Sequence, residues 1–137
     1  MKPKEKTQPD NNDRPKILVV DDIPSQRKAV KGFIEENYQL SVAEAGDGFE
    51  AIQRTMEDEY DLIISDLVMP NMNGLELCAF LKSSATYRQR PFVMLSSIND
   101  KKTIEQAKSL GANEYLLKPF NQDEVSRIMK DLLPDKL

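Results

Sequence analysis

Short apolar runs alternate along this chain with longer segments whose apolar residues recur every three or four positions. Each run stops at polar or turn-forming residues, which is typical of strands buried on both faces of a sheet. The runs predict five strands: KILVV, LSVAEA, DLIIS, PFVMLSS and EYLLK. The segments that follow them predict five helices, because apolar residues three and four apart share one helical face.

The predicted helices have recognisable ends and inward faces. The first follows Pro24, the second continues through FEAIQRTMEDEY and the third begins at Gly74. The fourth ends near Gly111, and the last begins with the capping-box pair Asn121 and Glu124. The residues that we expect to face the core are all apolar: Val30, Phe33, Ile34, Leu77, Cys78, Leu81, Ile104, Ala107, Leu110, Val125, Ile128, Met129 and Leu132.

Strands that alternate with helices favour a parallel sheet, because parallel neighbours need crossover connections. We therefore expect an α/β fold with a doubly wound five-stranded parallel sheet and helices on both faces. The pattern places one domain at residues 16–133. Residues 1–15 lack an apolar pattern and are expected to form a flexible N-terminal tail, and residues 134–137 a short C-terminal tail.

Charge and composition narrow the function classes. The net charge is −4 and the pI near 5.0, so direct binding to nucleic acid is not expected. No apolar run approaches the roughly 20 residues of a membrane span, and the basic N-terminal residues are not followed by the apolar stretch of a signal peptide. We therefore expect no membrane insertion and a cytoplasmic location.

The chain contains no histidine and a single cysteine, Cys78. The commonest general base and transition-metal ligand is therefore missing, and no internal disulfide is possible. Cys78 is expected to fill the core. Any chemistry must depend on carboxylates, hydroxyls and lysine.

Polar residues follow four of the predicted strands: Asp21-Asp22, Asp66, Ser96-Ser97 and Lys118-Pro119. Each of them alone is commonly a cap, a turn or an exposed side chain. In a doubly wound sheet, however, the carboxyl ends of the strands meet at one edge, where such folds bind ligands. Carboxylates crowded in this way repel each other, so at least one would take up a proton unless a cation lies between them. An oxygen-only ligand set favours Mg²⁺ as that cation. This combination suits phosphoryl transfer, in which a carboxylate can act as the nucleophile.

Four motifs in this order, VVDD, SDLVMPNMNG, VMLSS and YLLKPF, resemble those of the receiver domains of two-component response regulators. The likeness covers residues 16–133 and is to the CheY-like, single-domain form with a flavodoxin-like fold. It implies that Asp66 is the phospho-acceptor. It also implies that Asp22, Asp66 and the backbone carbonyl of Val68 hold Mg²⁺, with Asp21 assisting.

The resemblance assigns further roles near the acceptor. Ser96 would be the switch hydroxyl, Lys118 would pair with a phosphoryl oxygen, and Tyr115 would be the aromatic switch. The Lys118-Pro119 peptide lies where the family has a cis bond. Ile98 and Val68 are apolar residues beside the path of the attacking water, which predicts slow self-dephosphorylation.

Three residues of the loop after Asp66 are expected to be exposed: Met69, Pro70 and Met72.

The resemblance also implies partners. A chain without histidine cannot supply the family's phosphohistidine donor, so a histidine kinase or a histidine phosphotransfer protein must supply it in trans. Only PDKL follows the last helix, so we expect a stand-alone signalling phospho-acceptor rather than an enzyme. It would signal to a downstream protein effector through the surface of the fourth helix, fifth strand and fifth helix (α4-β5-α5), as a monomer or a phosphorylation-dependent dimer. The effector could be a flagellar motor component in chemotaxis, a kinase or a relay protein.

Three other functions are compatible with parts of this sequence pattern. A haloacid-dehalogenase-like phosphatase needs a second acid two residues after its nucleophile, where this chain has Val68. A flavodoxin-like cofactor binder would need a phosphate-cradling loop after the first strand, where Asp21-Asp22 would repel the phosphate. An unphosphorylated docking scaffold would not require the complete set of acids.

Overall fold

The five apolar runs form the five parallel strands of one sheet in the computed structural model, which describes residues 14–137. The strands are β1 (Lys16–Val20), β2 (Ser41–Ala45), β3 (Leu62–Asp66), β4 (Phe92–Ser96) and β5 (Glu114–Leu117). The helices are α1 (Pro24–Asn37), α2 (Gly48–Glu57), α3 (Gly74–Lys82), α4 (Lys101–Ser109) and α5 (Gln122–Leu132). The predicted doubly wound α/β fold is confirmed.

The order of the strands determines where the functional edge lies. The sheet runs β2-β1-β3-β4-β5, so the chain moves outward from β1 to β2 and then returns to the other side of β1. The switch point, where such folds bind ligands, is therefore between β1 and β3. In the register of these two strands Val20 pairs with Ser65, which brings the next residues, Asp21 and Asp66, level with each other.

Side chains of each strand point alternately into two cores. Leu18 and Val20 pack on one face with helices α2, α3 and α4. Ile17 and Val19 pack on the other face with α1 and α5. Cys78 is buried in the first core, as expected, and burial raises the pKa of its thiol to about 11.

The structure confirms the helix ends that the sequence predicted from a capping box or a terminal glycine. Asn121 and Glu124 form the predicted capping box, with the amide of Glu124 donating to Asn121 Oδ1 at 2.9 Å. Asn73 and Glu76 form a second capping box, at the start of α3, which was not predicted from the sequence. Gly111 follows α4 with a φ of 113°, in the left-handed region that favours glycine.

Most strand and helix bounds differ from the prediction by only a residue or two, and two of the differences have a clear structural cause. Strand β3 is one residue later than expected, because the Asp61 carboxylate accepts the Lys16 amide at 2.8 Å outside the strand. Helix α2 ends at Glu57 rather than at Tyr60, because Asp58 is extended and Tyr60 turns into the core.

Most of the predicted N-terminal tail, residues 1–13, lies outside the described residues. Among the described helices, none has both the length and the apolar character needed to cross a membrane.

Gly74 lets α3 begin directly beneath the end of β3. Its amide donates to the carbonyl of Leu67 at 2.8 Å. A Cβ atom at this position would collide with the Asp66 carbonyl oxygen, and it would lie only 2.7 Å from Met94 Sδ and 2.9 Å from Leu67 Cα. The backbone of Asp66 and the start of α3 can therefore approach each other only if residue 74 has no side chain.

We expect Gly74→Ala to lower the free energy of unfolding by about 1–3 kcal/mol, because the backbone around Asp66 must shift. Gly32→Ala is the matched control, since nothing lies within 4 Å of a Cβ placed at Gly32 in α1. That substitution should raise stability by about 0.5–1 kcal/mol, the ordinary gain for alanine within a helix. Urea unfolding measures both changes, and equal shifts in the two variants would contradict the predicted contact.

Candidate functional site

Three carboxylates converge at the switch point between β1 and β3. Asp21, Asp22 and Asp66 each offer an oxygen within 4.8 Å of the other two. Asp21 and Asp66 are almost fully buried, whereas Asp22 is exposed. The structure therefore brings together the acids that the sequence predicted at the ends of two separate strands.

Asp66 is the last residue of β3 and is 6% exposed. Its Oδ1 accepts a hydrogen bond from the amide of Leu67 at 3.0 Å and lies 3.2 Å from Lys118 Nζ. Burial raises the pKa of the Asp66 carboxyl, and the nearby Asp21 raises it further, while Lys118 opposes both. The protein thus keeps a carboxylate where its charge is costly and only partly compensated.

Lys118 connects β5 to the acids. Its ammonium lies 3.8 Å from Asp21 Oδ2 in addition to its closer contact with Asp66. It also donates to Gln26 Oε1 at 2.8 Å. The backbone amide of Lys118 donates to the carbonyl of Ser96, and the Lys118-Pro119 peptide is cis. Sequence reasoning missed Gln26, because an exposed glutamine on a helix gives no local signal of this contact.

Asp21 is held by three hydrogen bonds. Its amide donates to the carbonyl of Ala45 at 3.1 Å. Its side-chain Oδ1 accepts from the amide of Ile23 at 2.9 Å, and its carbonyl accepts from Arg27 Nη1 at 2.8 Å. Asp21 is therefore held at its amide, its side chain and its carbonyl, and the bond from Arg27 to the carbonyl acts on the peptide that links Asp21 to Asp22.

Ser96 and Tyr115 both bond to Ile98. Ser96, the buried last residue of β4, accepts a hydrogen bond at Oγ from the amide of Ile98 at 2.9 Å. The Tyr115 hydroxyl donates to the carbonyl of Ile98 at 2.7 Å. The sequence predicted both as switch residues but did not predict that one loop residue links them. Ser97 is exposed.

The loop after Asp66 differs in part from the prediction. Pro70 is exposed, as expected, but Met69 is 7% exposed and belongs to the core beneath α2, α3 and α4. Met72 is half-buried and lies against Gly48. The expectation that both methionines are exposed was wrong, because the loop turns back at Asn71, where φ is 70°. Val68, two residues after Asp66, is 60% exposed.

The carboxylate of Glu44, on β2 beside the site, is surrounded by three positively charged side chains. Arg27 Nε donates to its carboxylate at 2.8 Å, and the ammonium groups of Lys28 and Lys31 lie 3.4 Å from it. These contacts, the one with Arg27 above all, lower the pKa of Glu44 to about 2. Sequence reasoning missed this cluster, because its members are ordinary polar residues on two different elements.

Two of the cavities lined by the described residues lie at opposite ends of the strands. A largely apolar groove of about 560 Å³ borders Lys118 and Gln26, between α1 and the start of α5, and includes Phe33, Pro119 and Phe120. A charged cavity of about 610 Å³ lies at the amino ends of the strands, beside Lys16 and Arg90. Only the first adjoins the acids.

Fold and site together define a doubly wound α/β domain with an acidic pocket at its switch point. The sequence model of the response regulator receiver domain matches residues 17–130. This chain belongs to the response regulator receiver domain family of two-component systems, and its fold is CheY-like.

Characterised relatives and solved structures agree with this assignment. The transcriptional regulatory protein ResD of Bacillus subtilis is 37% identical over 90% of this chain, which spans 50% of ResD. Protein PilG of Pseudomonas aeruginosa is 28% identical, and the match covers 87% of each chain. The structure of the chemotaxis protein CheY4 of Vibrio cholerae is 31% identical, with a TM-score of 0.81 over 88% of this chain and 99% of CheY4.

We expect Glu44→Gln to lower the free energy of unfolding by about 1–2 kcal/mol at pH 7. The substitution removes the ion pair with partly buried Arg27 and the weaker ones with Lys28 and Lys31. The pKa of Glu44 falls from its ordinary 4.5 to about 2 in the folded state. Its contribution is therefore complete above roughly pH 5.5 and declines as the pH falls from 4.5 towards 2.

Urea unfolding at pH 7, 4 and 3 measures the difference between wild type and variant, which should narrow towards low pH. Glu35→Gln, at an exposed position on α1, serves as the control and should show little difference at any of these pH values. The same pH trend in both variants would contradict the role of the Glu44 cluster.

Proposed function

We propose that Asp66 accepts a phosphoryl group from a phosphohistidine on another chain, in a Mg²⁺-dependent reaction that switches the binding of a downstream partner. The observation that carries this proposal is the meeting of three carboxylates and the Lys118 ammonium around one buried strand-end aspartate. The unit that performs it is the receiver domain of residues 16–133. This function is signalling rather than turnover of a substrate.

The donor set fits magnesium. Carboxylate and carbonyl oxygens with no histidine or thiolate among them are the ligands of a hard divalent ion. We assign Asp22, Asp66 and the backbone carbonyl of Val68 as ligands, with Asp21 assisting. When bound, magnesium would neutralise the charge on the phosphoryl oxygens and so let two anions approach each other.

The chain's own residues supply the nucleophile and its surroundings. A carboxylate oxygen of Asp66 would attack phosphorus as the P–N bond of the phosphohistidine breaks, with the electron pair remaining on the imidazole nitrogen. Lys118 favours the ionised form of Asp66 before the reaction. Afterwards its ammonium can pair with a phosphoryl oxygen, because it lies only 3.2 Å from the acceptor oxygen.

The hydrogen bonds of Ile98 support a route for the switch. Ser96 Oγ accepts from Ile98, so its own O–H remains able to donate to a phosphoryl oxygen. Phosphorylation adds roughly −1.5 to −2 charge and three acceptor oxygens. As Ser96 moves towards this group it would draw Ile98 with it, and the carbonyl of Ile98 would draw Tyr115. The surface of α4, β5 and α5 would change for an effector or for a second copy of the chain.

We infer that the donor is a histidine kinase or a histidine phosphotransfer protein, because this chain has no histidine of its own. The reaction would take place in the cytoplasm, without direct contact to nucleic acid and without membrane insertion. The stand-alone arrangement stays a prediction, since this chain spans half of ResD but 87% of PilG.

Incubation with Mg²⁺ and acetyl phosphate should add one phosphoryl group to the wild type, as measured by intact mass. Asp66→Asn should abolish the gain, because an amide cannot act as the nucleophile. Asp123→Asn, at an exposed acid in the first turn of α5, should be phosphorylated like the wild type. A mass gain that survives Asp66→Asn would move the acceptor elsewhere.

The phosphorylated protein should lose its phosphoryl group slowly, because Val68 and Ile98 neither orient nor attract the attacking water. Val68→Asn combined with Ile98→Glu should shorten the phosphoryl half-life by roughly tenfold, since two polar groups would then position the water, equivalent to about 1.4 kcal/mol of barrier. The decay of phosphorylated protein after removal of the donor measures this. An unchanged half-life would refute it.

A further inference from the structure

Arg27 connects the acidic site to the second strand. It lies on α1, its side chain is 16% exposed, and its guanidinium makes two hydrogen bonds in different directions. Nη1 donates to the backbone carbonyl of Asp21 at 2.8 Å, and Nε donates to Glu44 Oε1 at 2.8 Å. Arg27 contacts the main chain of the acidic pair rather than its carboxylates.

The bond to Asp21 acts on the peptide that joins Asp21 to Asp22. Strand β1 ends at Val20, so the carbonyl of Asp21 lies beyond the sheet's regular ladder. The bond to Arg27 fixes the direction of this carbonyl and with it the plane of the following amide. The position of Asp22, which is exposed at the edge of the site, depends on that plane.

Glu44 holds the guanidinium in place. Its side chain is 20% exposed, and the planar fork of an arginine allows one bond to Glu44 while a second points at Asp21. Arg54 fixes the backbone of Glu44 from the other side, through Nε and the Glu44 carbonyl at 3.2 Å. The chain of contacts therefore runs from β2 through Arg27 to the acidic pair.

We propose that Arg27 is a positioning residue for the magnesium site: through the carbonyl of Asp21 it orients the Asp21–Asp22 pair, and Glu44 holds it in the orientation that does so. This inference rests on the proposed function, because it concerns the metal site assigned there. It adds a residue outside the ligand set that sets the affinity of this site.

Electrostatics and positioning predict opposite results when the charge of Arg27 is removed. A guanidinium near the acids repels a divalent cation, so its loss should strengthen magnesium binding if charge alone matters. If Arg27 orients the acidic pair, its loss should weaken binding, because the ligands lose their arrangement. The sign of the change separates the two explanations.

The test is a magnesium titration of the whole chain by isothermal calorimetry, with urea unfolding of each variant as a check on the fold. Arg27→Met should weaken magnesium binding roughly tenfold, as is typical for the loss of a group that supports metal ligands. Lys28→Met is the matched control, because it removes a charge from the same cluster without touching Asp21. It should bind magnesium as tightly as the wild type or slightly more tightly.

Two further variants disrupt the contact between Arg27 and Glu44 while keeping the positive charge of residue 27. Arg27→Lys cannot bond Glu44 and Asp21 through one planar fork, and Glu44→Gln leaves Arg27 without its anionic partner. Each should weaken magnesium binding about threefold, part of the effect expected for a supporting group. Arg27→Lys also provides the decisive measurement if Arg27→Met does not fold.

The outcomes distinguish this inference from the proposed function. A wild type that binds magnesium, together with folded Arg27 variants that bind it as tightly or more tightly, would overturn the inference and leave the proposed function intact. A wild type that binds no magnesium at millimolar concentration would overturn both. Equal weakening in Arg27→Met and Lys28→Met would also overturn the inference, because positioning by Arg27 alone could not explain it.

Discussion

The like charges of Asp21 and Asp66 are the constraint on which the site depends. Parallel pairing of β1 with β3 brings these residues level at the ends of neighbouring strands, and both are nearly buried. Burial, above all, and the neighbouring acid both raise the pKa of Asp66, because they disfavour its negative charge. Lys118 offsets part of this cost from one side. The remaining imbalance favours the binding of a further positive charge, as the proposed phosphoryl transfer requires.

A group of mutually repelling acids keeps its geometry only if the surrounding structure holds it. The backbone supplies most of that support here. Asp21 is bonded through its amide, carbonyl and side chain, and Asp66 is bonded through the amide of Leu67. The close approach of Gly74 sets the position of the Asp66 main chain from below. These backbone amides bond only Oδ1 of each carboxylate, so Oδ2 of Asp21 and Oδ2 of Asp66 receive no backbone hydrogen bond and are available to a ligand.

The sequence predicted the strands, the fold and the meeting of the acids, because these follow from local patterns and from one topological rule. A polar residue directly after a buried strand must lie at the sheet's carboxyl edge, whatever its neighbours are. Asp66 and Lys118 could therefore be placed in the same region although they are distant in the chain. The same argument placed Ser96 at the end of β4.

Contacts that depend on side-chain direction could not be predicted in this way. Gln26 and Arg27 are adjacent polar residues on α1, and only the packing of that helix aims one at Lys118 and the other at Glu44. Met69 lies in a loop rich in turn residues, where a positive φ at Asn71 reverses the chain and buries it. In these cases the tertiary structure decides what the local sequence leaves open.

The bonds of Ile98 give the proposed switch a path from the acids to another surface that needs no large rearrangement of the core. Its amide is bonded to Ser96 and its carbonyl to Tyr115, so one residue joins the end of β4 to the middle of β5. Both bonds are formed by main-chain atoms of a loop, which can shift more easily than the buried strands on either side. A ligand can shift such a linkage from one position to another only if the ligand binds one of these positions more tightly than the other. In the proposed function, a phosphoryl group that bonds Ser96 in one of these positions would meet that condition, and Tyr115 would then follow through Ile98.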